Sequence, residues 1–129
     1  IQRKSGTLCG VTSIAAARGM PTAGPYSTSK AALAVHLETM RLDLIPCGVA
    51  VVDVAPGFID TEMTKKNKGK MPLLAKPGDA AVIFVDGILS KKRFVAAPRM
   101  WRWIYPILKM MPRPMFEAAA ARSYKRIRG

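Results

Sequence analysis

Two short apolar runs enclose one long helix-forming segment in the first half of the chain, and this order restricts the fold more than any other feature. Residues 7–13 and Val49–Val54 lack helical spacing and are rich in β-favouring residues. Between them, apolar positions recur at helical intervals from Tyr26 to Leu44, and Pro46 with Gly48 indicates where that helix ends. Strand, helix and strand in this order predict one crossover unit of a parallel sheet.

The second half of the chain adds one helix and one short strand to this unit. Residues 56–77 are polar and turn-rich and predict a long loop, which contains a cluster of lysines at positions 65, 66, 68 and 70. A helix is predicted over residues 78–90 and a short strand over Phe94–Ala97. Because the strands are almost continuously apolar, we expect helices to cover both faces of the sheet.

Tyr26 and Lys30 are separated by one helical turn, so their side chains project from the same face of the predicted helix. An ammonium beside a phenol favours the phenolate, which makes the tyrosine a usable proton donor or acceptor. The spacing alone is common on surface helices. It gains weight from Ser13, which ends the first apolar run thirteen residues before Tyr26, and from the Pro56-Gly57 turn that ends the second.

Three segments resemble the short-chain dehydrogenase/reductase family in their order and spacing. They are residues 6–16 (GTLCGVTSIAA), residues 26–33 (YSTSKAAL) and residues 54–61 (VAPGFIDT). The resemblance covers roughly residues 1–98 and implies a Rossmann-like, doubly wound parallel α/β sheet, of which this chain is the C-terminal portion. Residues 99–129 resemble the family only loosely, and we interpret them as a basic, Trp- and Met-rich helical extension.

The resemblance implies a catalytic role for three residues. Tyr26 would exchange a proton with the oxygen of a carbonyl or alcohol, and Lys30 would favour the phenolate and bind the nicotinamide ribose. Ser13 would hold the reacting oxygen and stabilise its developing charge. The alternative is that Tyr26 is an aromatic residue at a helix start and Lys30 a solvated charge.

The resemblance also implies contacts with the nicotinamide of NAD or NADP, made by Tyr26, Lys30, Pro56, Gly57, Ile59 and Thr61. The missing Cβ of Gly57 would let the backbone approach the cofactor. The alternative for the last four residues is an ordinary turn after a strand, above all for Thr61.

The glycine-rich turn by which this family binds pyrophosphate is absent from the sequence. By the same resemblance, the family's catalytic asparagine would belong to a helix before residue 1. We therefore expect this chain to be the catalytic half of a longer protein and to be inactive by itself.

The positive charge of the chain is concentrated near its C-terminus. The net charge is +13, and residues 91–129 carry eleven Lys or Arg against the single acid Glu117. Such a patch attracts phosphates, anionic lipid or nucleic acid, or forms a solvated rim. Nucleic-acid binding ranks behind the others because the sequence contains no recognised module.

Aromatic residues and methionines alternate with basic residues over positions 99–111. This composition suits a lid over a lipophilic substrate or a helix in a membrane interface. The alternative is packing on the rest of the fold or on a second subunit of a homo-oligomer. The residues predicted to form the lid are Trp101, Trp103, Ile104 and Met110.

The two cysteines, Cys9 in a predicted buried strand and Cys47 in a turn, give neither metal-ligand spacing nor a disulfide framework, which suits a reducing compartment. No apolar run reaches the length of a membrane span. We predict a cytoplasmic or peripherally membrane-associated oxidoreductase that interconverts a carbonyl and an alcohol on a lipophilic substrate, as in lipid metabolism. The rival interpretations are a non-catalytic binding protein on the same scaffold and a basic membrane-surface or nucleic-acid module.

Overall fold

A computed structural model describes residues 2–65 and 71–128 of the chain. Its three strands are β1 (Gly6–Val11), β2 (Val49–Pro56) and β3 (Phe94–Ala97), and they form a parallel sheet in the order β1-β2-β3. In chain order, the α-helices of the described residues are α1 (Gly24–Leu44), α2 (Glu62–Lys65), α3 (Pro77–Leu89), α4 (Trp101–Met110) and α5 (Arg113–Arg128). The parallel α/β sheet predicted from the sequence is confirmed.

Most predicted bounds lie within two residues of the observed ones, and the differences have local causes. Helix α1 begins at Gly24 rather than Tyr26 because Pro25 occupies its first turn, where the fixed φ of proline suits a helix. Strand β1 ends at Val11, so Thr12 and Ser13 lie beyond it and Ser13 instead caps a short 3-10 turn over Ile14–Ala16.

The segment between β2 and α3 is more ordered than the predicted loop. It contains the short helix α2 and an isolated bridge between Ile59 and Ala75. Helix α2 begins at this point because the carbonyl of Thr61 accepts hydrogen bonds from the amides of Thr64 and Lys65, both at 3.0 Å. Three members of the predicted lysine cluster, Lys66, Lys68 and Lys70, lie outside the described residues.

Helices cover β2 and β3 on both faces. On one face, α3 packs against the buried valines Val52, Val54 and Val95. This packing is close, because a Cβ built on Gly87 of α3 would lie 2.3 Å from Cγ2 of Val95. On the other face, Trp101 of α4 packs with Ile14 and Ala96 in a second buried cluster.

Strand β1 is more exposed than the sequence predicts, and the expectation that Cys9 is buried is wrong. Cys9 is exposed because β1 is an edge of the described sheet and α3 packs on β2 and β3. The opposite face of β1 is covered, since a Cβ on Gly10 would lie 2.5 Å from a methyl group of Leu37 in α1. Among the helices of the described residues, none combines the length and the apolarity needed to cross a membrane.

Candidate active site

The end of β1 holds Ser13 in a fixed and nearly buried position. Ser13 is 6% exposed and has an extended backbone. Its Oγ accepts a hydrogen bond from the amide of Ala15 at 3.1 Å. Because that bond uses a lone pair, the O–H proton of Ser13 is still able to donate to a ligand.

Helix α1 presents Tyr26 and Lys30 beside the same strand end. The Lys30 Nζ donates a hydrogen bond to the carbonyl oxygen of Val11 at 3.1 Å. The same Nζ lies 5.8 Å from the centre of the Tyr26 ring, and Tyr26 is 44% exposed. The predicted helical turn between Tyr26 and Lys30 therefore places an ammonium, an accessible phenol and the strand leading to Ser13 together.

Pro56 and Gly57 lie at the carboxyl end of β2, as expected. The amide of Gly57 donates to the carbonyl of Ala97 at the end of β3, at 2.8 Å. The structure gives a packing reason for glycine at this position, and the expected approach of a cofactor stays a prediction. A Cβ on Gly57 would lie 2.6 Å from Cδ1 and Nε1 of Trp101, so the missing side chain accommodates the indole of α4.

Ile59 and Thr61 are held by the start of α2. The Thr64 hydroxyl donates to the carbonyl of Ile59 at 2.6 Å, and its Oγ1 accepts a hydrogen bond from the amide of Thr61 at 2.9 Å. The side chain of Thr61 is exposed, and its Oγ1 lies 3.4 Å from that of Thr64. A turn leading into a helix accounts for this backbone, and contact with a cofactor stays a prediction.

The predicted lid of α4 is divided between two faces of the helix. Trp101 is buried in the core cluster and Ile104 packs against it, so neither forms a lid. Trp103 and Met110 are 68% and 83% exposed. Composition could not separate these residues, because the face of each depends on where the helix meets the sheet.

Arg18 joins the loop after Ser13 to the C-terminal helices, a link that sequence reasoning missed. Its Nη1 donates to the carbonyls of Met111 at 2.9 Å and Lys109 at 3.4 Å, and its guanidinium lies 4.6 Å from the ring centre of Phe116. A cation at the C-terminal end of α4 also suits the helix dipole.

A shallow cavity of about 400 Å³, largely open to solvent, lies between this loop and α5. Most of its wall is apolar, and it is lined by Gly19, Met20, Pro21, Phe116, Glu117, Ala120, Ala121 and Tyr124. The sequence signal that could have indicated it is the run of small residues at positions 118–121, which leaves room beside a helix.

Asp53 is a third feature that the sequence interpretation missed. It lies in the middle of β2, is 8% exposed, and accepts a hydrogen bond from the Thr12 hydroxyl at 2.5 Å. Burial raises the pKa of the Asp53 carboxyl, opposed by the Thr12 hydrogen bond and the charges of Arg41 and Lys109. Burial also raises the pKa of Tyr105 in α4, with a smaller contribution from the charge of Asp53. The available signal was a single acid within the apolar run of residues 49–55.

Comparisons with known proteins identify relatives of this chain. The family model described as short chain dehydrogenase matches residues 1–72. An uncharacterized oxidoreductase of Myxococcus xanthus is 39% identical over 124 residues, which are 95% of this chain and 48% of the relative. A 3-oxoacyl-[acyl-carrier-protein] reductase of Synechocystis is 39% identical over 74 residues, 57% of this chain and 30% of the relative.

A solved structure gives the same result for the fold. The crystal structure of a short chain dehydrogenase from Burkholderia cenocepacia, in complex with NADP, matches with a TM-score of 0.68 at 30% identity. The match covers 90% of this chain and 47% of that one. The chain thus spans about half the length, or less, of these relatives.

The buried carboxyl of Asp53 makes a testable contribution to stability. Because its pKa is raised in the fold, the associated stability is present below the ordinary value of about 3.9 and is lost as the pH rises through the raised pKa. We expect Asp53→Asn, which keeps an oxygen acceptor for Thr12, to gain stability relative to the original protein as the pH rises from 4 to 7. Thermal unfolding at several pH values measures this difference.

Asp86 provides a matched control of opposite sign. Its exposed carboxylate accepts a hydrogen bond from Lys92 at 2.9 Å, and this bond with the charge of Lys92 lowers its pKa. Its stabilising effect is present above the ordinary pKa of about 3.9 and is lost as the pH falls through the lowered pKa. Asp86→Asn should therefore lose relative stability as the pH rises towards about 4 and change little above about 5. Equal slopes for the two variants would contradict the interpretation of Asp53.

Proposed function

The chain belongs to the short-chain dehydrogenase/reductase family, and we propose that the protein interconverts a carbonyl and an alcohol with NAD or NADP as cofactor. The observation that carries this proposal is the position of Lys30, which bonds to Val11 and lies beside the ring of Tyr26. These groups and Ser13 are grouped at the carboxyl end of β1, the edge where ligands bind in open α/β sheets.

The three side chains divide the work of moving a proton. In the reductive direction the exposed hydroxyl of Tyr26 gives its proton to the carbonyl oxygen, and in the oxidative direction it takes the proton back. The ammonium of Lys30, 5.8 Å from the ring centre, favours the phenolate that remains. The O–H of Ser13 donates to the same substrate oxygen as charge develops on it.

The residues at this edge fit the nicotinamide end of a dinucleotide. NAD(P)(H), when bound, supplies or accepts the hydride. An ammonium has three N–H donors, and the bond from Lys30 to Val11 uses one, so others can reach a ribose hydroxyl. Further contacts with the nicotinamide come from Pro56, Gly57, Ile59 and Thr61. The sequence lacks a glycine-rich pyrophosphate turn, so we expect residues 1–129 alone neither to bind the dinucleotide tightly nor to turn over.

The substrate in this proposal is lipophilic. The cavity beside α5 supports this, because Met20, Pro21, Phe116 and two alanines contribute to its wall. In this proposal, residues 99–129 form an extension whose first helix packs on the core and whose second helix borders the substrate. Arg18 fixes the junction between these two helices.

A peripheral membrane contact is part of the proposal for a cytoplasmic protein. Helix α4 and the residue before it expose four apolar side chains, Met100, Trp103, Ile107 and Met110. With about 100° of rotation per residue, these four positions fall within about 80° of arc around the helix axis. The guanidinium of Arg102 lies 5.4 Å from the ring of Trp103. An apolar stripe flanked by cations suits an anionic lipid surface. Contact with a second subunit of a homo-oligomer is the competing outcome.

Replacing Tyr26 by Phe tests the proposed chemistry. In the full-length protein, Tyr26→Phe removes the proton donor at nearly constant volume and should lower kcat by a factor on the order of 10² or more. Cofactor affinity should change little, whereas replacing Lys30 by Met should lower both kcat and cofactor affinity. Steady-state kinetics with a carbonyl substrate and titration with NADH and NADPH measure these effects.

Tyr105→Phe is the control, because Tyr105 packs against Phe94 with ring centres 4.9 Å apart and takes no part in the proposed chemistry. Near-normal turnover by Tyr26→Phe would refute the mechanism. Cofactor binding by a full-length protein that turns over no carbonyl or alcohol would favour a non-catalytic binding protein.

Filling the cavity beside α5 tests the substrate class. Ala120 lines the cavity and Ala119 does not, so Ala120→Leu should reduce binding of a long substrate while Ala119→Leu is the matched control. If the added leucine side chain displaces two substrate methylenes from the apolar wall, binding loses about 1.6 kcal/mol. This loss corresponds to a roughly tenfold lower kcat/KM for the long substrate. A short carbonyl substrate should be affected less.

The test compares kcat/KM for a short and a long carbonyl compound in both variants and in a protein truncated after Met111. This truncation keeps Trp101 and the core cluster, which a truncation after Pro98 would remove. Equal losses for both substrates would assign α5 to folding or subunit contact.

Vesicle sedimentation tests the membrane surface of α4. With vesicles containing phosphatidylserine, Trp103→Ser combined with Ile107→Ser should lower the bound fraction severalfold, and salt should weaken binding of the original protein. Leu89→Ser is the control, since Leu89 is 76% exposed on α3, away from this stripe. Unchanged vesicle binding together with a shift in oligomeric state would assign the stripe to a second subunit.

A further inference from the structure

We propose that Asp53 is a positioning residue for Ser13 and acts through the hydroxyl of Thr12. The inference rests on the proposed function, because it requires Ser13 to bind the reacting oxygen. Thr12 and Asp53 form a buried polar pair that the proposed proton transfer does not use. The Thr12 hydroxyl donates to Oδ1 of Asp53, and the two residues are 2% and 8% exposed.

Thr12 is attached to β2 by two separate groups, immediately before Ser13. Its amide donates to the carbonyl of Val54 at 2.8 Å, as in the adjoining ladder, and its hydroxyl donates to Asp53. A single backbone hydrogen bond leaves the chain able to rotate about that bond. A second hydrogen bond, donated by the side chain, fixes the rotation. The direction in which the chain leaves β1 for Ser13 is thereby determined.

The other side of the same segment is held by α1. Lys30 binds the carbonyl of Val11, the residue before Thr12. Ser13 then begins the 3-10 turn, in which its carbonyl accepts from the amide of Ala16 at 3.0 Å. The positions of the Ser13 hydroxyl and of Lys30 are therefore coupled through two peptide units, and Asp53 is the fixed point opposite Lys30.

Asp53 is not explained by packing alone. The neighbouring buried positions Val51, Val52, Val54 and Ala55 are apolar, and burying a carboxylate among them opposes folding. The carbonyl of Val54 accepts only a longer bond from the Thr12 hydroxyl, at 3.3 Å. The shorter hydrogen bond, to the carboxyl of Asp53, is what holds the Thr12 side chain in one rotamer.

The experiment compares four variants of the full-length protein, each with Ser13 present and with Ser13→Ala. Thr12→Val and Asp53→Leu remove the donor and the acceptor, and Thr12→Ser and Asp53→Asn retain them. We expect Thr12→Val and Asp53→Leu to lower kcat about tenfold, because a small displacement of a catalytic group has a large effect on rate. The cofactor KM of these variants should stay within about twofold of that of the original protein. The conservative variants Thr12→Ser and Asp53→Asn should retain most of the original kcat.

The double variants separate positioning from a structural role. If Thr12 acts through Ser13, Thr12→Val should lower kcat less than about twofold when Ser13 is already alanine. A loss of about the same factor in both backgrounds, or a parallel rise in cofactor KM, would overturn the proposal. Thr39→Val is the control, since its hydroxyl bonds to Val35 on the exposed side of α1 at 3.2 Å.

The unfolding temperature of each variant and the kcat of Ser13→Ala keep the outcomes distinguishable. Unfolding temperatures identify variants that fail to fold, and if Asp53→Leu does so, the Thr12→Val and Thr12→Ser pair still decides. Normal kcat in Ser13→Ala would refute positioning, because there would be no catalytic hydroxyl to position. The proposed oxidoreductase function would then be judged separately by Tyr26→Phe.

Discussion

The attachment of residues 11–13 to their neighbours fixes the position of Ser13, on which the proposed chemistry depends. Lys30 of α1 binds the carbonyl of Val11, and Asp53 of β2 binds the hydroxyl of Thr12. The chain between these anchors has little freedom, so Ser13 leaves the strand in one direction. Anchors of this kind act where the ladder of backbone bonds stops, at the carboxyl end of the strands, beyond which ligands bind in open α/β sheets.

The C-terminal helices extend this arrangement. Trp101 of α4 fills the space above Gly57 and packs with Ile14, which follows Ser13 directly. Arg18 then binds the end of α4 from the loop beyond Ile14. The segment that carries Ser13 and the turn after β2 therefore share one packing partner. A change in α4 is expected to reach both, which is why the tests of α5 leave α4 intact.

The sequence was sufficient for the order and type of the main elements and not for their surroundings. Helical spacing from Tyr26 to Leu44 and the apolar run at Val49–Val54 have local causes, so α1 and β2 were predictable. The exposure of Cys9 was not, because it depends on which strands and helices lie beside β1. The grouping of Tyr26, Lys30 and Ser13 followed from a family resemblance, whereas the bond from Thr12 to Asp53 spans 41 positions and has no local pattern.

If Asp53 positions Ser13 as proposed, stability and function compete at this residue. Its raised pKa means that the fold disfavours the carboxylate at neutral pH, where an apolar residue of similar size would remove that penalty. An apolar residue would also leave the Thr12 hydroxyl with only the longer bond to Val54. Asparagine meets both requirements, since it is uncharged and still accepts a hydrogen bond. If Asp53→Asn gained stability while keeping kcat, the acceptor and not the charge would be the property that the site requires.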